Sequence, residues 1–534
     1  MMPLTFNEKT GDFVLASNDE ERAKAVGLTL SKKVRSRKGE RIWFTKETYA
    51  ALPYWSEADV LARTVLWQIY NDYRASYATD TDAQFPSPEG MEYLPFQRAG
   101  IEYAIAKEHC LIGDEPGLGK TIQAIGVANA VGAKKILVIC PGRVRLHWRR
   151  EVMKWSTLDD VTTHVVFASK NGVDPYADYV IVSYDLARRP KIHKLLSSMD
   201  WDLLVLDEAH YLKTSGAKRT QAIFGGGRGP FKTRSIAKHA KRIIGLTGTP
   251  LPNRPRECYT VARALCWESI DWMTFDAFCY RFNPSALMES GYVLEKQGRL
   301  PELHARLRSN FMVRRSKEAV LKDLPDKRYE LTYVEPNGRI QDVLAKEKML
   351  NFTIKDLKKP YSDAFGQIST LRREMGEAMA PRVVDHIRYL LDVVELQKIV
   401  VFAHHKSVMD FIGGELSKYG VVEVRGGMSL KAGDAAIQAF QKEGKPRIFQ
   451  GQMQASGEGI DGLQNVASHV VFAEPSWVPK DNEQCVDRCH RIGQHNNVVA
   501  QIMLVEGSLC EKIMARVIRK THVIHDVLDK EISE

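Results

Sequence analysis

The stretch that decides the fold of this chain reads Asp114-Glu-Pro-Gly-Leu-Gly-Lys120-Thr121. Glycines such as Gly117 and Gly119 let backbone N–H groups approach phosphate oxygens, and a helix beginning at the Lys-Thr pair adds its positive dipole end. In such a loop Lys120 reaches the β- and γ-phosphates of a nucleotide, and the Thr121 hydroxyl holds Mg²⁺. The apolar run before the loop predicts a strand, and the periodicity after it predicts a helix. We therefore expect a phosphate cradle at residues 114–121.

A carboxylate pair lies downstream of the cradle. Asp207 and Glu208 directly follow the apolar run 203–206, which is typical of a buried parallel strand. Because parallel sheets present ligand groups at the carboxyl ends of their strands, Asp207 is a candidate Mg²⁺ ligand and Glu208 a candidate for orienting or deprotonating the attacking water. The alternative is a helix N-cap Asp followed by a first-turn Glu. The phosphate cradle in the same chain favours the catalytic interpretation.

The third informative stretch is Gln484-Cys-Val-Asp-Arg488-Cys-His-Arg491-Ile-Gly-Gln494, called the arginine segment below. Arg488 and Arg491 are three residues apart, so on the expected helix they share one face. Arginines brought to a nucleotide can stabilise the charge that phosphoryl transfer develops. The alternatives are a solvated basic helix face and, for Cys485, Cys489 and His490, a zinc site, which lacks a second ligand pair. Reduced thiols account more simply for the eight scattered cysteines.

Strand-like apolar runs alternate with amphipathic stretches along most of the chain. This alternation predicts an α/β protein with two doubly wound parallel sheets. Residues 252 to about 324 have helical patterning and suggest a helical insertion in the first sheet region. The expected strands are residues 136–140, 180–182, 203–206 and 243–246 in the first sheet, and 399–402, 421–424, 470–472 and 498–505 in the second.

Further motifs occur in a fixed order around these three stretches. They are Leu94-Pro-Phe-Gln97-Arg-Ala-Gly100, Cys140-Pro141-Gly142 with Trp148 and Glu151, Ser183-Tyr184-Asp185, Leu246-Thr247-Gly248-Thr249-Pro250, Phe311-Met-Val-Arg-Arg315 with Leu324-Pro325, and Ser456-Gly457-Glu-Gly459-Ile-Asp461. Together with the cradle, including its acidic residue 114, and the arginine segment, this series resembles the Swi/Snf branch of the superfamily-two helicase-like ATPases. The resemblance covers about residues 91 to 525. Stretches 95–107 and 253–257 are similar to the annealing, fork-remodelling helicases of that branch.

The resemblance implies two tandem RecA-like lobes with a nucleotide held by one and sensed by the other. It implies that Gln97 and Gln484 join the cradle in binding ATP, and that Arg488 and Arg491 act in catalysis. Asp461 replaces the more usual asparagine. The residues implied to bind DNA or couple it to the nucleotide are Pro141, Tyr184, Thr247, Gly248, Thr249, Ser456 and Gly457. The expected domains are residues 1–90 (accessory), 91–325 (first lobe), 326–507 (second lobe) and 508–534 (bracing helices).

The implied activity is an ATPase that uses Mg²⁺ and translocates on double-stranded or branched DNA in replication, repair or recombination. The alternative is a strand-separating DNA or RNA helicase of superfamily two. The net charge of +10 favours a polyanionic partner. No signal peptide or membrane-spanning run is apparent, so we expect a cytoplasmic protein, or a nuclear one in a eukaryote.

Residues 1–90 lie outside the motif series. The basic run at residues 31–41 precedes Trp43 and Phe44, a pairing that could combine phosphate contacts with base stacking at a DNA junction. The alternative is a solvated loop. The sequence also predicts a strand at residues 41–45 and a helix at residues 58–70. We expect this region to direct the protein to DNA structures and not to contribute to hydrolysis.

Overall fold

A computed structural model describes residues 4–26, 28–36, 40–226, 235–248, 250, 255–282, 299–350, 363–453 and 460–514. The chain divides into two compact units. Among the described residues, the first contains those up to Val320 except 116–118, and the second contains residues 116–118 and those from Leu321 onward. Each unit contains one parallel sheet.

The N-terminal part of the first unit has an antiparallel sheet of its own, with strand order β1-β2-β4-β3. Trp43 lies in its core and is 1% exposed. The basic run forms much of β3, so at residues 31–35 it is strand and not loop. The elements are β1 (Thr5–Asn7), β2 (Asp12–Ala16), α1 (Glu20–Ala25), β3 (Thr29–Arg35), β4 (Arg41–Thr45), α2 (Thr48–Ala51), a 3₁₀ helix (Leu52–Glu57) and α3 (Val60–Ala75).

The parallel sheet of the first unit has seven strands in the order β11-β5-β10-β9-β6-β8-β7. The strands are β5 (His109–Ile112), β6 (Ile136–Cys140), β7 (Thr163–Val165), β8 (Tyr179–Ser183), β9 (Trp201–Asp207), β10 (Ala240–Leu246) and β11 (Met312–Val313). The helices are α4 (Pro95–Ala106), α5 (Lys120–Ala130), α6 (Arg145–Trp155), α7 (Tyr184–Ala187), α8 (Pro190–Leu196), α9 (Lys218–Phe224), α10 (Tyr259–Leu265), α11 (Phe275–Phe282), α12 (Leu300–Asn310) and α13 (Lys317–Val320). Short 3₁₀ turns occupy Ser169–Asn171, Ala209–Leu212, Ile236–His239, Pro255–Cys258 and Trp267–Ile270.

The second unit has a six-stranded parallel sheet in the order β12-β17-β16-β13-β15-β14. The strands are β12 (Lys327–Tyr333), β13 (Ile399–Ala403), β14 (Val421–Val424), β15 (Ile448–Gln452), β16 (His469–Phe472) and β17 (Val498–Leu504). The helices are α14 (Gly338–Leu350), α15 (Asp363–Asp392), α16 (Lys406–Glu415), α17 (Leu430–Gln441) and α18 (Pro479–Val486), with 3₁₀ turns at Ser417–Tyr419 and Leu463–Asn465.

The expected fold class is confirmed, because both sheets are parallel and most of their successive strands are joined by helices. The central strands are apolar and fully buried, as in β6 and β13, which is why their runs are readable in the sequence. One boundary differs from the expectation. Residues 312–313 form the edge strand β11 beside β5, so they belong to the first sheet and not to a helical insertion.

The N-terminal region packs against helix α12 through polar and apolar contacts. The Arg306 guanidinium donates to Glu302 at 2.7 Å and to Glu47 at 3.0 Å, and it lies 4.6 Å from the ring centroid of Tyr49. Arg308 donates to the carbonyl of Ser76 at 3.1 Å. Residues 47–76 are therefore built into the first unit.

Among the described residues, no helix combines the length and the apolar character that a membrane crossing requires. The expected bracing helices lie largely outside the described residues, which end at residue 514.

Candidate active site

The phosphate cradle connects the end of β5 to the start of α5. Gly117 and Gly119 have φ values of 92° and 70°, a left-handed backbone that side chains disfavour. Gly119 is the N-cap of α5, so the first N–H groups of that helix face the loop. The Lys120 ammonium donates to the carbonyls of Asp114 at 2.7 Å and Glu115 at 3.0 Å. The loop thus has the shape and the positive end that a phosphate requires.

Gln97 lies directly against the cradle. Its side chain is 2% exposed and caps α4 by accepting from the backbone N–H of Leu94 at 3.1 Å. A Cβ at Gly119 would lie only 2.4 Å from the Gln97 side-chain nitrogen. Glycine at position 119 therefore gives the loop its left-handed turn and leaves room for Gln97.

Asp114 is held by a buried ion pair that the sequence alone did not reveal. Its carboxylate accepts from the Arg315 guanidinium at 2.9 and 2.6 Å and from Gln123 at 2.9 Å. Both charged side chains are at most 1% exposed. Burial alone would raise the pKa of Asp114, but the Arg315 guanidinium lowers it below its usual value. The ion pair of Asp114 with Arg315 therefore links the cradle to the segment that follows β11.

The carboxylate pair lies at the carboxyl end of β9. One Asp207 oxygen accepts from the indole N–H of Trp148 at 2.8 Å, and the other accepts from the backbone N–H of Glu208 at 3.0 Å. Glu208 has a φ of 52°, a left-handed conformation that is uncommon for a residue with a side chain. Strand β9 therefore ends at Asp207. The alternative, in which Asp207 is a helix N-cap and Glu208 lies in the first turn, is wrong, because Glu208 itself is the residue that precedes the 3₁₀ turn.

The charged groups around the cradle shift the pKa values of Lys120 and Asp207. Burial lowers the pKa of Lys120 to about 8, although the carboxylates of Glu208, Asp114 and Asp207 raise it. Burial, followed by the charge of Glu208, raises the pKa of Asp207 to about 7. The His210 imidazole lies 3.1 Å from a Glu208 oxygen and 3.1 Å from the Thr247 hydroxyl. Residues from β5, β9 and β10 therefore share one electrostatic environment.

The arginine segment differs from its predicted helix. Helix α18 ends at Val486, so it contains Gln484 but neither Arg488 nor Arg491, which lie in the following turns. Side-chain contacts explain the early end: His490 bonds to the Pro325 carbonyl at 2.8 Å, and Gln494 donates to Ala467 and Cys489 carbonyls at 3.0 Å each. These buried bonds fix the segment in a turn that a continuous helix would not allow.

The side chains of Arg488 and Arg491 both contact residues 460–461. Arg488 donates to the carbonyl of Ile460 at 3.2 Å, and Arg491 donates to the carboxylate of Asp461 at 2.9 Å. Asp461, which replaces the more usual asparagine, therefore gives Arg491 a charged partner. Both guanidinium groups lie near the Ile460 carbonyl, although the helix whose face they were expected to share does not contain them.

The residues expected to bind or couple DNA are mostly buried. Pro141 is buried, Tyr184 is 3% exposed and Thr247 is 1% exposed. The Tyr184 hydroxyl donates to the backbone carbonyl of Asp207 at 2.7 Å, and the Gly248 carbonyl accepts from Arg314 at 3.2 Å. The described residues of this set therefore do not form an exposed surface, and their assignment to DNA binding or coupling stays a prediction. Thr249, Ser456 and Gly457 lie outside the described residues.

Two family models match the chain. One, described as the SNF2-related domain, matches residues 43–377, and the other, described as the helicase conserved C-terminal domain, matches residues 382–493. The first match begins well before residue 91, so it includes part of the expected accessory region.

Curated relatives and a solved structure extend this comparison. The DNA annealing helicase and endonuclease ZRANB3 of Bos taurus is 29% identical over 465 residues, covering 83% of this chain and 41% of the relative. The SWI/SNF-related matrix-associated actin-dependent regulator of chromatin subfamily A-like protein 1 of Xenopus tropicalis is 30% identical over 451 residues, covering 83% and 45%. The chain thus spans less than half the length of these relatives. The Sulfolobus solfataricus SWI2/SNF2 ATPase core in complex with dsDNA is 22% identical, with a TM-score of 0.39 and coverage of 83% and 95%.

Proposed function

The chain belongs to the SNF2-related domain family, and on that premise we propose that it is an ATP-driven motor that moves along double-stranded DNA and remodels or anneals branched DNA. The name of one relative, the DNA annealing helicase and endonuclease ZRANB3, supports the annealing activity. The net charge of +10 supports a polyanionic partner.

One observation carries the proposal. Three neighbouring strands in the order β5-β10-β9 deliver the cradle, Thr247–Gly248 and Asp207–Glu208 to the same carboxyl edge of one sheet. Ligands of open α/β sheets bind at this edge. A phosphate loop, a metal-binding carboxylate and a water-orienting carboxylate are the parts that ATP hydrolysis requires.

Each side chain then has a defined task. Lys120 and the N–H groups at the start of α5 bind the phosphates, and Gln97 contacts the nucleotide beside Gly119. The Thr121 hydroxyl and the Asp207 carboxylate would hold Mg²⁺, whose charge would offset that of the phosphate oxygens when it is bound. The donor set fits, since both are hard oxygen ligands. Glu208 orients the attacking water and accepts its proton.

The arginine segment lies in the second unit. We assign Arg488 and Arg491 to the stabilisation of charge during hydrolysis, and Gln484 to nucleotide binding. The contact of Arg491 with Asp461 supports this role, because a carboxylate partner preorganises the guanidinium without removing its charge.

Comparison of polynucleotides tests the proposal. ATP turnover should rise strongly with linear or forked duplex DNA, and little with single-stranded DNA or RNA of the same length. The stimulation should fall steeply as salt increases, because duplex binding releases counterions. RNA stimulation equal to that by duplex DNA would favour an RNA helicase, and absence of any stimulation would refute a DNA motor.

A further inference from the structure

Resting on the proposed function, the geometry points to Trp148 and Tyr184 as positioning residues that hold the Asp207–Glu208 junction in its active shape. Trp148 orients the Asp207 carboxylate, and Tyr184 fixes the peptide that joins Asp207 to Glu208. Neither residue needs to touch nucleotide or DNA for this role.

Trp148 is suited to hold a carboxylate in one orientation. It lies on α6, is 1% exposed, and packs in the apolar core between that helix and the sheet. A large buried ring is a rigid support, so its N–H presents a fixed donor 2.8 Å from one Asp207 oxygen. The other oxygen is fixed by the Glu208 backbone N–H. Each Asp207 oxygen therefore has one anchor and keeps further lone pairs for a metal ion or its water.

Tyr184 holds the next bond of the chain. Its hydroxyl donates to the Asp207 carbonyl at 2.7 Å, and that carbonyl belongs to the peptide preceding Glu208. Glu208 has a φ of 52°, so its backbone is in a disfavoured region and persists only where the surroundings fix it. Rotation of this peptide would relax Glu208 and move its carboxylate. The Tyr184 hydroxyl opposes that rotation.

Packing alone does not account for the Trp148 contact. Trp155 lies on the same helix, is buried in the same core cluster and stacks on Tyr93 with ring centroids 5.3 Å apart. Its indole nitrogen meets no hydrogen-bond acceptor among the described residues. Helix α6 thus contains Trp155, whose indole only packs, and Trp148, whose indole N–H also donates to the Asp207 carboxylate. That pair gives a matched control.

The Trp148 role is tested by Trp148→Phe against Trp155→Phe in the full chain. Binding of a fluorescent ATP analogue would be measured by titration at a series of Mg²⁺ concentrations. The quantity compared is the Mg²⁺ concentration at which half of the metal-dependent gain in nucleotide affinity is reached. For Trp148→Phe we expect this concentration to rise about 10- to 100-fold, because loss of a side chain that orients a metal ligand weakens metal binding by that factor. Affinity without Mg²⁺ should stay within about twofold of the wild type, since the cradle is unchanged. Trp155→Phe should leave both quantities unchanged.

Equal Mg²⁺ dependence in the two variants would overturn the Trp148 assignment. A wild-type protein that binds no nucleotide would instead defeat the proposed function, so the two failures are distinct. If Trp148→Phe does not fold, benzothienylalanine at position 148 keeps the ring shape and removes only the N–H, and the same outcomes apply.

The Tyr184 role is tested by Tyr184→Phe against Tyr179→Phe. Tyr179 is a buried tyrosine on β8 whose hydroxyl bonds to Ser156, remote from Asp207. With saturating duplex DNA, Tyr184→Phe should lower kcat about three- to tenfold, the equivalent of one lost hydrogen bond, with nucleotide affinity unchanged. Tyr179→Phe should keep kcat. Equal kcat in the two variants, or a Tyr184→Phe defect confined to nucleotide affinity, would overturn the assignment.

Discussion

At the scale of single residues, the active site concentrates charges that oppose folding and favour ligand binding. Burial lowers the pKa of Lys120 to about 8, and burial followed by the charge of Glu208 raises the pKa of Asp207 to about 7. Such departures cluster at functional sites. The left-handed backbone at Glu208 adds strain at the same point.

Glu208→Gln should separate binding from chemistry. The amide keeps the size of the side chain but cannot accept the proton of the attacking water, so turnover should fall by orders of magnitude. Binding of ATP and Mg²⁺ should persist, because the cradle and Asp207 are unchanged. Single-turnover hydrolysis and nucleotide titration measure the two effects. Glu102→Gln, an exposed change on α4, is the control, and equal turnover in both variants would contradict the role of Glu208.

Sequence motifs predict most of the candidate site residues, but they do not predict the contacts that hold these residues in place. The cradle and the carboxylate pair are readable because phosphate chemistry dictates residue types at fixed spacing. The anchors Arg315 and Trp148 act through long-range contacts, 201 and 59 residues from their partners, which no local pattern encodes. The hydrogen bond from Tyr184, a residue expected to bind or couple DNA, to Asp207 is likewise absent from any local pattern.

At the scale of elements, prediction succeeded for strands that form apolar runs, and it failed for strands without such a run and for helix ends. Strand β12 lies at the sheet edge and contains no fully buried residue, and β11 has only two residues, so neither forms an apolar run. Strand β15 contains two glutamines and a glycine. The end of α18 at Val486 depends on tertiary contacts of His490 and Gln494. Propensity alone does not contain this information.

The Asp114–Arg315 pair should be a major support of the first unit. Removing one partner leaves the other charge buried, so Asp114→Ala should cost about 3–5 kcal/mol of unfolding free energy. Because the pKa of Asp114 is lowered in the folded state, this stabilisation is complete above the unfolded value of 3.8 and is lost as pH falls through the folded value.

Urea denaturation measures that difference. The control is Asp80→Ala, which removes the partner of Arg98 in a pair where Asp80 is 63% exposed, and should cost less than about 1 kcal/mol. Arg315→Ala combined with Asp114→Ala should cost less than the sum of the single changes. Equal losses for Asp114→Ala and Asp80→Ala would show that the buried pair is not a support.

At the scale of the whole molecule, the N-terminal region belongs to the motor structure more than the sequence indicated. Trp43 is buried and donates to the Ser17 carbonyl, so it is not available to stack on a base. The carbonyl of Ser76 accepts from Arg308 and Arg314, and that of Ala78 accepts from Arg315 at 3.3 Å. These contacts argue against the expectation that residues 1–90 do not contribute to hydrolysis, and a truncated protein tests it.

A protein beginning at Gly90 should lose ATPase activity on saturating duplex DNA. The deletion removes the backbone carbonyls that accept from Arg308, Arg314 and Arg315, and it exposes the buried guanidinium of Arg306. Arg306→Ala in the full chain should weaken the same packing and lower the thermal midpoint of the first unit. Full activity of the truncated protein, measured beside the intact chain, would show that the region is an independent accessory domain.

The most direct test of the central claim is displacement of a third strand from a DNA triplex built on a long duplex. A motor that moves along double-stranded DNA should release the third strand only with hydrolysable ATP, while a plain blunt duplex of the same length stays paired. Glu208→Gln should release none. Efficient, processive separation of the blunt duplex would contradict the account and identify a strand-separating helicase, and failure to release the third strand despite DNA-stimulated ATP hydrolysis would contradict translocation itself.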